Sequence, residues 1–206
     1  MPDVNTSVIY YSATGSIHAM AEAAAKAAEA AGSNVRLRKV RELAPAEAIA
    51  GNEGWAAHAR QTQDLPEATL EDLEWADVVI FGTPTRFGLP AAQLKQFIDG
   101  AGGLWGSGAL VNKVGTSFTS SATAHGGQET TITALNNVFY HWGAIIVAPG
   151  YADPVQFAAG NPYGASHVSN NGSVPPGDTE LASVSFQATR AVRIAAALKV
   201  GLAAAS

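Results

Sequence analysis

Apolar residues along this chain recur with two different spacings, one typical of strands and one typical of helices. Short apolar runs predict buried strands, and apolar positions three and four residues apart predict amphipathic helices. Strands are predicted at residues 4–11, 35–40, 77–82, 113–120 and 144–147. Helices are predicted at residues 17–31, 90–98, 129–140 and 179–198. This alternation predicts an α/β protein with a parallel sheet and helices on both faces.

Details of the pattern refine this prediction. Residues 77–82 are apolar without interruption, as expected of a strand covered on both faces, whereas the strand at 35–40 carries charges and is expected near an edge. Pro90 is placed as the first residue of its helix and Thr179 as the cap of the last helix. No internal repeat or linker is visible, so we predict a single domain over residues 1–206.

Two long segments lack an apolar period. Residues 42–75 are interrupted by proline and glycine, which predicts no more than one or two helical turns. Residues 153–178 are rich in Gly, Pro, Asn and Ser, which predicts a long loop. Loops of this length in a compact domain are usually functional.

Three polar loops follow predicted strands, at the edge where an open α/β sheet binds its ligands. They span residues 12–16, 83–88 and 120–128, and they share hydroxyl groups, glycines and backbone amides. Because the carboxyl ends of parallel strands meet at one edge of a sheet, we expect the three loops to converge on one site.

The first of these loops has the features of a phosphate site. It leads from Ser12 to Ser16 into a predicted helix, whose free N–H groups and dipole favour an anion. It contains no lysine or arginine, so neutral donors would hold the phosphate. Neither G-x-G-x-x-G nor G-x-x-x-x-G-K-[ST] is present, which disfavours a permanently bound NAD and ATP hydrolysis. The loop alone leaves open an ordinary strand-to-helix turn with a helix cap.

The second and third loops contribute a cation, an aromatic ring and glycines. Arg86 and Phe87 follow the third strand, where they would lie at the mouth of a site. Alternatively, Arg86 pairs with a carboxylate and Phe87 belongs to the core. Gly126 and Gly127 allow the backbone to approach a ligand closely, or they mark a flexible surface loop.

Composition excludes several classes of function. The 206 residues include no cysteine, which excludes disulfides, thiolate nucleophiles and iron–sulfur clusters. The net charge of -5 argues against a nucleic-acid partner, and the histidines lack metal-ligand spacing. No apolar stretch reaches the ~20 residues of a membrane span, so we expect a cytoplasmic protein without an integral membrane segment. Charged residues make up only 14%, which suggests a buried subunit interface.

Motifs spread over essentially the whole chain resemble those of one family. They are TPTRFG at residues 83–88, GGLW at 102–105, HGGQET at 125–130 and NPYGA at 161–165. Together they are similar to the WrbA-type NAD(P)H:quinone oxidoreductases, which are FMN proteins of the flavodoxin fold. The resemblance implies a flavodoxin-like, doubly wound, five-stranded parallel sheet of order 2-1-3-4-5. It also implies bound FMN, NADH or NADPH as co-substrate, a quinone substrate and a homo-oligomer, a tetramer.

The resemblance also implies roles for individual residues. For FMN these are Ser12, Ala13, Thr14, Gly15, Ser16 and Ile17 at the phosphate, Pro84, Thr85, Arg86 and Phe87 beside the ring, Ser120, Ser121, Ala122, Thr123, Ala124, His125 and Gly126 along the ring and ribityl chain, and His141. Trp105 is implied to contact the substrate, and Thr14 to contact the nicotinamide nucleotide. From the residues alone, Trp105 also suits an interface, and His141 suits the end of a helix as a cation. Thr14, Ser16 and Leu89 stand where the family commonly has an aromatic residue, a histidine and an asparagine.

The resemblance leads to a hypothesis for the reaction. Both substrates use one site on the flavin face, in ping-pong order. NADH or NADPH first gives a hydride to the flavin, and the oxidised nicotinamide leaves. A quinone then enters, takes two electrons and becomes a hydroquinone. No side chain is predicted to be catalytic, because N5 of the flavin carries the hydride. Two alternative functions are a one-electron carrier of flavodoxin type and a flavin-free interaction protein.

Overall fold

The computed structural model describes residues 2–205, and in that part of the chain seven strands alternate with nine helices. The strands are β1 Val4–Tyr10, β2 Ser33–Lys39, β3 Val78–Arg86, β4 Leu89–Pro90, β5 Val114–Ser121, β6 Ile145–Ile146 and β7 Ser166–Val168. The helices are α1 Ser16–Ala30, α2 Ala46–Ala50, α3 Glu53–Gln61, α4 Leu70–Trp75, α5 Ala92–Asp99, α6 Gly102–Gly106, α7 Gln128–Trp142, α8 Pro154–Ala159 and α9 Asp178–Ala205.

The central sheet is parallel and has the order β2-β1-β3-β5-β6. In its register, Val8 of β1 lies beside Leu37 of β2 and beside Ile80 of β3, and Ile80 lies beside Thr116 of β5. These five strands are the five predicted from the sequence, so the predicted flavodoxin-like order is confirmed. As predicted, the charged strand β2 lies at an edge.

Helices cover both faces of the sheet and divide the core into two layers. On one face, α1 and α9 pack over residues such as Val8 and Phe118. On the other face, α4, α5 and α7 pack over β3, where the rings of Phe81 and Phe139 stack with their centroids 5.4 Å apart. Strand β3 is buried on both sides, which explains its uninterrupted apolar run.

The edge of the sheet beyond β5 is shared by two short strands. β6 pairs with β5 at Val114 and Gly115, whereas β7 pairs with it further along, at 119–121. Between them the chain leaves the sheet and forms α8, which Asp153 caps by accepting a hydrogen bond from the N–H of Val155. The prediction of one long loop over residues 153–178 was therefore wrong, because α8 and β7 are too short to show a period.

Residues 42–75 contain more helix than the sequence predicted. The segment forms α2, α3 and α4, and its proline and glycine residues fall between these helices instead of preventing them. Asn52 caps α3 by accepting from the N–H of Trp55, and Thr69 with Asp72 forms a capping box on α4. The expectation of one or two helical turns was wrong because caps are local signals that need no apolar period.

Two predicted helix starts are also wrong. Pro90 does not open a helix but lies in β4, which pairs antiparallel with the end of β3 in a tight hairpin, and α5 begins at Ala92. Thr179 lies inside α9 and does not cap it. Instead, the carboxylate of Glu180 accepts a hydrogen bond from the N–H of Gly177. Among residues 2–205, no helix is both long enough and apolar enough to cross a bilayer.

Candidate functional site

The three polar loops converge on one cavity of about 320 Å³ at the carboxyl edge of the sheet. It lies where the order of the strands reverses, between β1 and β3, which is where open α/β sheets bind ligands. Its walls are mostly hydroxyl groups, amides and backbone. The predicted site residues among its lining are Ser12, Ala13, Thr14, Ser16, Ile17, Pro84, Thr85, Arg86, Ser120, Ser121, Ala122, Thr123 and Gly126.

The first loop forms a tight turn at the start of α1. Gly15 precedes the helix with a φ of 100°, a conformation that glycine adopts readily, and its N–H donates to Oγ of Ser12 at 3.1 Å. The N–H groups of Thr14, Ser16 and Ile17 have no acceptor within the part of the chain that the structure describes. Free amides and the positive end of a helix at one point make a ready site for a phosphate.

The second loop holds a hydroxyl and a cation against the cavity. Oγ1 of Thr85 accepts from the N–H of Gly88 at 3.1 Å and from the hydroxyl of Thr131 at 2.7 Å, which fixes the loop against α7. Arg86 is the one charged residue among the described residues that line the cavity. Phe87 does not line it. Its side chain is fully exposed at the tip of the β3–β4 hairpin, with a φ of 55°.

The third loop is shaped by hydrogen bonds and by the absence of a side chain. Oγ of Ser121 donates to the carbonyl of Thr123 at 2.7 Å and accepts from Nε2 of Gln128 at 2.8 Å. A methyl group on Gly126 would lie 2.9 Å from Cβ of Ser121, so the backbone fills this position completely. Ala124 and His125 are exposed and lie outside the cavity lining.

Trp105 and His141 lie in a separate groove of about 420 Å³ between α5, α6 and α7. The indole N–H of Trp105 donates to the backbone carbonyl of His141 at 2.9 Å, and the Trp105 side chain is 58% exposed. A single chain therefore brings these two predicted residues together with each other but does not bring them to the cavity.

Four residues of the cavity lining were missed by the sequence analysis: Asn52, Ser169, Asn171 and Gly172. The last three belong to a turn in which residues 170–172 all have positive φ, and the N–H of Ser169 donates to the carbonyl of Ser121 at 2.8 Å. Asn and Gly adopt positive φ more readily than other residues, so the Asn-Asn-Gly sequence at 170–172 was the signal from which this turn could have been predicted.

This turn also changes the surroundings of Thr14. A methyl group on Gly172 would lie 2.3 Å from Oγ1 of Thr14, so the backbone of the turn rests directly on that side chain. Thr14, predicted to contact the nicotinamide nucleotide, is partly covered by the late turn.

Behind the first loop lies a cluster of three buried rings. The hydroxyl of Tyr10 is 2.6 Å from Nδ1 of His18, and the rings of His18 and His58 lie 5.2 Å apart. Burial lowers the pKa of His58 to about 4, with further contributions from His18 and Lys39. Burial also lowers the pKa of His18, although Glu22 opposes the change. Both rings are therefore neutral at neutral pH.

Beside this cluster, Glu42 joins several elements. Its carboxylate accepts from the hydroxyl of Tyr11 at 2.9 Å, from the indole of Trp55 at 3.2 Å and from the amide of Gln93 at 2.7 Å. Burial would raise the pKa of the Glu42 carboxyl, but hydrogen bonds from the N–H of Ala44, from the side chains of Gln93 and Tyr11 and from the N–H of Leu43 lower it below its ordinary value. The group is ionised and fixes the end of β1 to α3 and α5.

Comparisons with known proteins agree with this geometry. The profile of the NADPH-dependent FMN reductase family matches residues 8–157. A protein named NAD(P)H dehydrogenase (quinone) from Deinococcus radiodurans is 47% identical over 196 residues, covering 95% of this chain and 97% of that protein. One of the same name from Methylocella silvestris is 44% identical over 198 residues, covering 93% and 97%.

A solved structure shows the same relationship at the level of the fold. The WrbA-like flavodoxin from Agrobacterium tumefaciens is similar with a TM-score of 0.65 at 27% identity, covering 95% of this chain and 99% of that one. The predicted family resemblance is confirmed. The chain therefore belongs to the NADPH-dependent FMN reductase family, as a flavodoxin-fold member akin to the WrbA-type NAD(P)H:quinone oxidoreductases.

Proposed function

We propose that this protein uses FMN to transfer two electrons from NADH or NADPH to a quinone, giving a hydroquinone. The observation that carries the proposal is the uncharged cradle at the start of α1, which opens into a cavity between the second and third loops. A flavin mononucleotide has the matching shape, with a phosphate at one end and a flat ring at the other.

The residues present fit this cofactor. The free amides of Thr14, Ser16 and Ile17 would bind the phosphate together with the hydroxyls of the first loop. The loop from Ser120 to Gly126 would run along the ribityl chain and the ring, and Gly126 keeps this loop compact because a side chain there would collide with Ser121. Pro84, Thr85 and Arg86 would lie beside the ring.

When bound, FMN supplies hydride chemistry, and the protein supplies position and electrostatics. Arg86 places a positive charge at the cavity and would stabilise negative charge that develops on a reduced ring. Thr85, held by Thr131, fixes the loop that carries this charge. Each turnover transfers one hydride and consumes one proton, which would come from solvent, so that NAD(P)H, H⁺ and the quinone give NAD(P)⁺ and the hydroquinone.

We further propose that the active protein is a homo-oligomer, a tetramer, in which a neighbouring chain completes the site. Phe87, Trp105 and His141 provide flat surfaces, yet none of them lines the cavity of their own chain. Phe87 is a bulky residue with positive φ and full exposure, a costly arrangement that persists where function requires it. Light scattering after size exclusion should give the mass of a tetramer; a monomer that retains full activity contradicts this proposal.

The nicotinamide co-substrate also bears on location. NADH and NADPH are supplied by metabolism inside the cell, so we propose that the protein works in the cytoplasm.

We also propose a single domain over residues 1–206, because the cavity is lined by residues from 12 to 172. Limited proteolysis that released a stable fragment would count against that organisation.

The function is tested by reconstitution. Purified protein should bind FMN and, without oxygen, oxidise one equivalent of NADH or NADPH per FMN; continued turnover should then require a benzoquinone to accept the electrons. Bound FMN with no oxidation of either nicotinamide would favour the flavodoxin-type carrier. Protein that cannot be loaded with FMN would favour the flavin-free interaction protein.

Trp105→Ala tests the assignment of the quinone contact. In the proposed oligomer, Trp105 of a neighbouring chain contacts the quinone, so its removal should raise the KM for the quinone. Because Trp105 lies outside the cavity of its own chain, FMN affinity should stay within about twofold. KM from initial rates and Kd from flavin fluorescence give the two numbers. An equal loss of both would show that Trp105 is structural.

A further inference from the structure

We propose that α3 forms the rear wall of the phosphate site and that His58 is the cationic partner of the flavin phosphate, taking up a proton from solvent when the phosphate binds. The inference rests on the proposed function, because it concerns the same phosphate. It assigns a binding role to a segment outside the three ligand loops.

The geometry that supports it is the docking of one face of α3 on the first loop. A methyl group on Gly54 would lie 3.9 Å from Cγ2 of Thr14, and a methyl group on Gly15 would lie 3.6 Å from Nδ1 of His58. Positions 54 and 58 are one helical turn apart and therefore share a face. Asn52, at the start of the same helix, lines the cavity itself.

The helix is fixed in this position at both ends. Near its start, the indole of Trp55 donates to Glu42, which also binds Tyr11 next to the first loop. Just beyond its end, Nζ of Lys39 donates to the carbonyl of Thr62 at 2.5 Å. His58 thus reaches Gly15 on a rigid support instead of on a mobile loop.

The ring of His58 makes no hydrogen bond within residues 2–205, although the residue is only 6% exposed. Its nitrogens are not closed off from solvent, because the ring lines a cavity together with Tyr10, Ser12 and Lys39, so a proton from solvent can reach it. The titratable and charged groups near it come from several elements. They are Tyr10, Tyr11, His18, Glu22, Lys39, Glu42, Arg60 and Glu67.

The charges explain why the proton arrives only with the phosphate. Without ligand, burial, His18 and Lys39 all oppose a charge on His58. A phosphate with close to two negative charges on the other side of Gly15 would outweigh them, because Coulomb attraction at a partly buried site is several times stronger than in bulk water. The first loop contains no lysine or arginine, and Nζ of Lys39 is bound to the carbonyls of Thr62 and Gln63 beyond the end of α3. His58 is therefore the group able to carry a positive charge that borders the loop at Gly15.

The direct test is proton NMR of the histidine Hε1 signals in the full-length wild-type protein, titrated from pH 5 to pH 8. His58 is assigned by comparison with His58→Gln. In the apoprotein the His58 signal should keep its neutral position over this whole range, whereas with saturating FMN it should titrate with a midpoint of about 7. With riboflavin, which has the ring but no phosphate, the signal should behave as in the apoprotein.

Affinity provides the second readout. His58→Gln should weaken FMN binding at pH 6 about tenfold, measured by flavin fluorescence, while riboflavin binding changes less than about twofold. Arg60→Gln is the matched control, since it removes a permanent charge from the exposed side of the same helix. It should leave both affinities within about twofold.

The outcomes separate the two proposals. If the wild type binds FMN but the His58 titration does not move, His58 is a structural residue and this inference is wrong, whereas the proposed function stands. Equal weakening by the His58 and Arg60 variants would also overturn it, because long-range charge alone would then explain the effect. If the wild type binds no FMN at any pH, the proposed function itself fails.

Discussion

At the scale of single residues, the cavity depends on positions where a side chain is absent. Gly172 lies so close to Thr14 that no Cβ fits between them, and Gly126 is similarly enclosed by Ser121 and Thr123. The contact at Gly172 brings the late turn onto the first loop, so that Gly172 and Thr14, more than 150 positions apart in the chain, form one wall of the cavity. The substitution of such a glycine should affect the ligand site and the fold together.

Gly172→Ala should lower the free energy of unfolding by about 2–3 kcal/mol and weaken FMN binding. Its φ is +87°, and the new methyl group would collide with Oγ1 of Thr14. Urea unfolding and flavin fluorescence measure the two effects. Gly160→Ala is the matched control, because Gly160 has a φ of +77° with nothing within 4 Å of the added methyl. It should cost about 1 kcal/mol and leave FMN affinity unchanged; equal effects of both variants would exclude the collision.

At the scale of elements, the segment between β2 and β3 decides how the first loop is supported. Helix α3 has little apolar surface of its own, since His58 is its only buried residue among those described. It is held instead by polar contacts, chiefly the indole of Trp55 on the carboxylate of Glu42. The same carboxylate binds Tyr11 of the β1 end and Gln93 of α5.

Glu42→Gln should therefore destabilise the protein by about 2 kcal/mol, because an amide cannot accept from all of these donors and leaves some of them unpaired. The urea midpoint at pH 7 measures the change. Glu47→Gln, on the exposed surface of α2, is the matched control and should shift stability by no more than about 0.5 kcal/mol. A Glu42 variant as stable as this control would show that the hydrogen bonds to the Glu42 carboxylate do not contribute to stability.

At the scale of the whole molecule, the buried histidines link folding to pH. The pKa of His58 is about 4 in the folded apoprotein and 6.5 in an unfolded chain, so unfolding takes up a proton between these values. Stability is fully present above pH 6.5 and is lost as the pH falls toward 4. The loss attributable to this group approaches about 1.4 kcal/mol for each pH unit within that window.

Urea unfolding of the apoprotein at pH 7, 6 and 5 should show this slope, and His58→Gln should reduce it. His125→Gln, which alters an exposed histidine on the third loop, should keep the wild-type slope. An unchanged slope in the His58 variant would mean that other groups govern acid unfolding.

The sequence was informative wherever a signal was local. The five main strands, their order through the family resemblance, and the convergence of the three polar loops on one cavity were predicted because apolar runs, glycines and hydroxyl-rich turns are visible without knowledge of contacts. Elements that depend on caps or on pairing were missed, including α3, α8 and β7. Pro90 satisfied a rule for helix starts, but pairing of β4 with β3 placed it in a hairpin.

The sequence by itself determined the class of the fold, the uncharged character of the first loop and the convergence of three loops at one edge, because these follow from composition and from strand–helix alternation. Only the tertiary structure decided that Gly172 rests on Thr14, that Asn52 joins the cavity and that His58 stands behind Gly15. The reason is physical: such contacts join residues distant in the chain, and their formation depends on how whole elements pack. It also decided that Trp105 and His141 lie outside the cavity of their own chain, since α6 and α7 carry them to another face.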